Sequence, residues 1–155
     1  MLAHELAKEF PIVGLDSDAA DATRLLVERR LPGLIVVDAD QHPVAVLPGS
    51  QILRFVVPRY VQDDPNLAHV YGERHADQLC AKLAGRQVKD LLPDDPRQLP
   101  VVDADATAIE IAALMAGAHS PLVAVVESKG GKNKNPPMIG AITVADLLDK
   151  LLPPS

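Results

Sequence analysis

The chain is poor in residues on which many sites and folds depend. It has a single cysteine, Cys80, so no intrachain disulfide can form and nothing points to an oxidising compartment. Without a partner thiol, Cys80 reads as a small core residue. Aromatic residues make up 3% and Trp is absent, so the core must be built from Val, Leu, Ile and Ala. Single-stranded nucleic acid would find few stacking platforms. Positive charge is also short: 15 Lys+Arg against 21 Asp+Glu leave a net charge of −6. That excludes duplex nucleic acid and anionic membrane as main partners, because both require a basic footprint. No apolar run approaches the roughly 20 residues of a membrane-spanning helix. Met1–Pro11 lacks the basic start and long apolar stretch of a secretory leader, so a cytoplasmic location is expected.

What is present is ordinary globular material. The 155 residues correspond to about one domain, with 48% apolar and 23% charged residues. Abundant Ala, Asp, Pro and Arg with little Asn fits a GC-rich bacterial genome. Within this length the chain repeats itself. Phe10-Pro11-Ile12-Val13 is echoed by Leu99-Pro100-Val101-Val102, and Asp16 to Asp38 aligns without gaps on Asp105 to Glu127. Val44-Ala45-Val46-Leu47 then falls on Ile139-Gly140-Ala141-Ile142, after a loop of different length. The apolar pattern is kept although identity is low, which is the mark of an internal repeat.

Each copy predicts β-α-β-β-α. Pro11 to Leu15 reads as a short strand, and Asp16, Ser17 and Asp18 as candidate helix N-caps. Ala19, Ala22, Leu25 and Leu26 recur at helical spacing, and Pro32-Gly33 ends that helix. Leu34 to Val37 is a continuous apolar run, expected to be a strand buried on both faces. Val44 to Leu47 completes a hairpin, and Pro48-Gly49-Ser50 opens a second helix. The division expected is 1–57 for the first copy, 58–87 for a helical insert and 88–155 for the second copy. The insert predicts one long helix, capped at Asp63-Asp64-Pro65, running to about Leu83 and stopped by Gly85. Leu2 to Phe10 and Val88 to Leu92 read as lead-in helices.

The repeat order, with Ile139-Gly140-Ala141-Ile142-Thr143-Val144-Ala145-Asp146-Leu147-Leu148 closing the second copy, resembles the CBS domain. The two copies together resemble a CBS pair, or Bateman module, of the stand-alone bacterial type. The resemblance implies an α+β fold, in which the two repeats pack through their sheets about a pseudo-two-fold axis, here with an extra central helix. It also implies a regulatory, non-catalytic module that forms a homodimer. Such a module takes AMP, ADP, ATP or S-adenosylmethionine in a cleft between the copies and requires no cofactor. With no enzyme or channel attached, its effector is expected in trans, for example a transporter or metabolic enzyme.

The residues of the second copy allow two readings. Thr143 at the start of the last helix, with its free backbone N–H groups, suits a phosphate. Asp146, one turn on, is an acceptor suited to ribose hydroxyls. The plainer reading makes Thr143 an N-cap and Asp146 a complement to the helix dipole. The first copy departs from the motif: Pro48 replaces the Thr, Gln51 the Asp and Ala45 the Gly. At most one good site is therefore expected, on the second copy, with Gln51 able to reach one hydroxyl. Arg29 and Arg30, and His119 in the matching turn, are candidates for ligand phosphates or solvated charges at a helix end.

Two further features attract a function less strongly. Ser128 to Pro137, rich in Gly, Lys and Asn, joins two strands and is not followed by the Gly-Lys-Ser/Thr of a phosphate-binding loop, so it reads as a solvated hairpin tip. His69 and Glu73 share a helical face, with His75 and Asp77 nearby, but no third ligand is placed and no metal site is expected. The five scattered histidines form no nucleophile–base set with any Ser or Cys, so no catalytic residue is assigned.

Overall fold

The computed structural model describes residues 1–70, 78–93, 99–127 and 136–154. The first copy comprises β1 (Ile12–Gly14), α2 (Ala19–Glu28), β2 (Leu34–Val37), β3 (Pro43–Leu47) and α3 (Gly49–Val56). The second comprises β4 (Val101–Asp103), α6 (Ala108–Ala118), β5 (Leu122–Val126), β6 (Met138–Thr143) and α7 (Val144–Leu151). The lead-in helices are α1 (Ala3–Leu6) and α5 (Val88–Leu91), and α4 (Arg59–Asp63) begins the insert.

Each copy forms a three-stranded sheet whose central strand, β2 or β5, pairs parallel with the first strand and antiparallel with the third. The copies match down to their irregularities. Both hairpins carry a register shift at the same point, between Val36 and Val37 and between Val125 and Val126.

The continuous apolar runs of the central strands follow from this layering. Side chains alternate along a strand. Leu34 and Val36 face the helices of the first copy, and Val123 and Val125 those of the second. Their neighbours Ile35, Val37, Leu122 and Ala124 meet in one apolar layer between the two sheets. A strand covered on both faces has no position for a polar residue, and every residue of β2 and β5 is buried.

The helix starts are set by short polar side chains. Asp18, of the three candidates, caps α2 by accepting from the Asp21 N–H at 3.0 Å, while Ser17 accepts from the Gly14 N–H at 2.8 Å. Thr107 and Glu110 form a reciprocal capping box on α6. Both helices stop before the prolines, by a left-handed residue two positions ahead of each: Arg30 (φ 50) after α2 and His119 (φ 52) after α6. The next N–H reaches back across the turn, from Leu31 to the Leu26 carbonyl and from Ser120 to the Met115 carbonyl.

The lead-in segments are exchanged. Ala3 and Leu6 pack into the core of the second copy, and Val88 and Leu91 into that of the first. Matching hydrogen bonds hold them. Ala3 and His4 donate to the carbonyls of Ala106 and Ala104, and Val88 and Lys89 to those of Ser17 and Leu15. The copies are thus interlocked by covalent chain as well as by their shared apolar layer.

The insert differs from the single long helix expected. The chain leaves helical geometry at Asp64, the C-cap of α4, and continues as 3-10 turns at Pro65–Val70 and Leu79–Leu83. The Asp64 carboxylate accepts from the Asn66 N–H at 3.1 Å and so caps the first of these turns, as its place before Pro65 predicts. Of the expected apolar stripe, as far as the described side chains reach, Leu83 is buried on the first copy, Leu79 packs beside it and Leu67 is exposed. Cys80, expected in the core, is exposed, because it lies on the outer side of that turn. Residues 71–77, with Glu73, His75 and Asp77, and residues 128–135 of the hairpin tip lie outside the described residues. Among the described residues no group of three metal-ligating side chains occurs, and no helix is long and apolar enough to cross a membrane.

Candidate functional site

A cleft of about 570 Å³ opens where the N-terminus of α3 meets the C-terminal end of α6. Its walls come from both copies. Val46, Pro48, Ser50, Gln51 and Arg54 belong to the first, and Ala118 to Pro121 to the second. The volume lies within the roughly 300–1,000 Å³ of small-molecule pockets. Prolines and Val46 supply apolar surface, and Arg54, His119, Gln51 and Ser50 supply polar atoms.

Pro48 occupies the N-cap of α3 without a side-chain capping bond. In the second copy Thr143 takes the equivalent place and spends its hydroxyl on the Asp146 N–H at 3.0 Å. The first turn of α3 therefore faces the cleft with backbone donors that no side chain caps, a feature that favours an anion. Gln51 is held in place by its own amide, which donates to the Leu91 carbonyl of the exchanged lead-in helix at 3.1 Å. His119 is carried to the rim by its left-handed backbone, a conformation that costs a residue with a Cβ energy and that the Met115–Ser120 turn enforces.

The candidates are thus divided. Gln51 and His119, from different copies, line one cleft. Thr143 and Asp146 do not line it, and neither do Arg29 and Arg30, which are exposed at the end of α2. At the second copy the helix start is covered by the lead-in segment. Lys8 makes an antiparallel bridge to Ala141, with N–H···O distances of 3.0 and 2.9 Å. Its ammonium lies 3.1 Å from the Asp146 carboxylate. Burial alone would raise the Asp146 carboxyl. The hydrogen bond and charge of Lys8, with the hydrogen bonds of Thr143, outweigh burial and hold the carboxyl below its ordinary pKa. The motif glycine has a packing reason here. A Cβ on Gly140 would stand 2.9 Å from the Lys8 carbonyl oxygen and 3.0 Å from the Ala7 Cβ.

Sequence reasoning passed over Arg54 and Ser50. Ser50 lies in the first turn of α3 and Arg54 in its last, and the i,i+3 spacing of Arg54 from Gln51 was the available signal.

The family model of the CBS domain matches residues 88–153. Among solved structures, a CBS domain-containing protein of unknown function from Kribbella flavida is similar at TM-score 0.84 and 55% identity, over 97% of this chain and 98% of that one. The CBS-pair protein CBSX2 from Arabidopsis thaliana is similar at TM-score 0.71 and 20% identity, over 97% and 93%. CBSX2 in complex with AMP is similar at TM-score 0.64 and 21% identity, over 97% and 95%. No curated protein matches the chain.

Proposed function

The chain belongs to the CBS-domain family, whose members are generally regulatory rather than catalytic, and from that premise we propose that it senses an adenine nucleotide or related adenosyl ligand between its two copies. The observation that carries this reading is the 570 Å³ cleft, to which each copy contributes one side. Apolar walls at Val46, Pro48 and Pro121 suit a flat base, Gln51 and Ser50 suit a ribose, and Arg54, His119 and the first turn of α3 suit a phosphate. That CBSX2, similar in fold, is seen with AMP supports the ligand class. Thr143 and Asp146, with Arg29 and Arg30 of the opposite copy, are assigned by this reading to a second, weaker site, at which the Lys8 ammonium competes for the Asp146 carboxylate. A ligand that bridges the copies alters how they sit together, and that change is passed to a partner protein in trans, such as a transporter or metabolic enzyme.

We further propose that the chain forms a homodimer through its helices. Val27, Leu53, Ile109 and Leu148 leave apolar side chains exposed on α2, α3, α6 and α7.

One observation favours a second reading, a dimerising interaction module with vestigial pockets: the motif carboxylate of the second copy already has a cation. A thermal-shift series with AMP, ADP, ATP and S-adenosylmethionine separates the two. A ligand present at 100 times its Kd adds about 2.7 kcal/mol to stability. A shift with at least one of the four supports sensing, and no shift with any of them supports the interaction module.

A further inference from the structure

A second cleft of about 560 Å³ adjoins the first and shares Gln51, Arg54 and Pro93 with it. It lies between the C-terminal half of α3 and the insert, and its chemistry differs. Arg59 on α4 and Lys82 on the 3-10 turn face it together with Arg54, against the carboxylate of Asp63. None of these three cations makes an ion pair among the described residues.

The walls of this cleft are tied to the fold. Gln62 donates to the carbonyls of Arg54 and Val57, at 3.0 and 2.7 Å, which fastens α4 to the end of α3. The Arg86 guanidinium stands over the Phe55 ring, 5.9 Å from its centroid. Leu83, next to Lys82, is buried in the core of the first copy. Anchored elements thus carry an excess of cations into a cleft continuous with the nucleotide pocket.

We infer that the insert builds a polyphosphate subsite: Arg59 and Lys82 take the phosphates beyond the first of a nucleoside di- or triphosphate whose base and ribose lie in the adjoining cleft. Arg54, common to both clefts, is the junction. Guanidinium and ammonium groups are the side chains that meet phosphate oxygens, and each additional phosphate brings negative charge that the three cations attract. The inference rests on the adenine-nucleotide reading for the first cleft and adds to it a preference among nucleotides.

The test is calorimetric titration of the full chain and of the double variant Arg59→Ala/Lys82→Ala with AMP, with ATP and with inorganic tripolyphosphate. Both side chains are exposed, and circular dichroism checks that the variant is folded. The parent is expected to bind ATP about tenfold or more tightly than AMP, the scale of one added hydrogen bond to a charged group. The variant is expected to lose that difference while keeping its AMP affinity, and to lose tripolyphosphate binding. A control, Arg24→Ala/Lys150→Ala, removes two cations elsewhere and should keep the difference. Equal affinity of the parent for ATP and AMP overturns the subsite, as does loss of the ATP preference in the control. If no adenine nucleotide binds, the reading of the first cleft fails by itself. Tripolyphosphate binding that the variant loses then upholds the subsite, and no tripolyphosphate binding by the parent overturns it.

Discussion

Lys8 and Asp146, 138 residues apart in the chain, form a 3.1 Å ion pair that joins the exchanged lead-in segment to the first turn of the last helix. The Lys8 backbone and the Ala7 side chain lie directly on Gly140, where a Cβ would collide with them, and this close approach brings Lys8 to Asp146. A residue that reads in the motif as a ribose acceptor is thereby given a partner of its own. The matching position of the first copy, Gln51, bonds to the lead-in backbone at Leu91 and still borders an open cleft.

The ion pair should stabilise the fold only slightly. Lys8 is 67% and Asp146 31% exposed, so screening by water limits the effect of Asp146→Asn at pH 7 to less than about 1 kcal/mol. The sign of its pH dependence follows from the lowered pKa. A carboxyl held below its unfolded value contributes stability that is fully present above about pH 4 to 5, and is lost as the pH falls through the folded pKa. Urea unfolding of parent and variant should therefore differ at pH 7 and converge at acid pH. A difference that grew on acidification would contradict this.

Gly140→Ala is expected to destabilise by about 1–3 kcal/mol, the range for an overpacked position, because the added Cβ meets backbone of the lead-in segment. Gly117→Ala is the contrast. No atom lies within 4 Å of its Cβ, and a helical glycine replaced by alanine gains about 0.4–1 kcal/mol. Denaturation midpoints of the two variants should move in opposite directions.

Thr143→Ala should cost about 1 kcal/mol through loss of the N-cap of α7. Thr143→Ser keeps the hydroxyl and should restore most of the stability. Equal losses in the two variants, measured by urea unfolding, would place the contribution in the methyl group instead.

Arg30→Gly is expected to stabilise by up to about 1 kcal/mol, since Arg30 holds φ 50 and glycine adopts the left-handed region freely. The larger backbone freedom of glycine in the unfolded chain opposes this gain. A loss above about 0.5 kcal/mol, on the scale of surface substitutions, would show that the Arg30 side chain stabilises the fold in its own right.

Sedimentation at micromolar concentration should show a species of twice the 16.5 kDa chain mass. Ile109, 75% exposed on α6, is a sensitive point. Ile109→Asp places a charge on an apolar face without disturbing the core, and should shift the balance towards monomer. A parent that sediments as monomer alone overturns the homodimer.

The repeat, its β-α-β-β-α order and the doubly buried central strands were legible in the sequence, because they depend on local periodicity. Leu34 to Val37 and Leu122 to Val126 have no polar residue among them, and only a strand covered on both faces accepts that pattern. The caps Asp18 and Thr143 were similarly local, since each accepts from an N–H three residues on. In the insert the cap at Asp64 was local too, but the turns described on either side of residues 71–77 are 3-10 rather than the α-helix that the apolar stripe suggests.

The sequence by itself determined the elements, their order and the family they resemble, because each depends on residues near one another in the chain. Only the tertiary structure decided which helix start stays open. That outcome depends on where the lead-in segments cross to the opposite copy: one lays the ammonium of Lys8 on Asp146, and the other places Pro93 beside a cleft and binds Gln51 through Leu91. Neither contact has a local signature, since pairs so far apart in sequence meet only after the two sheets have packed face to face.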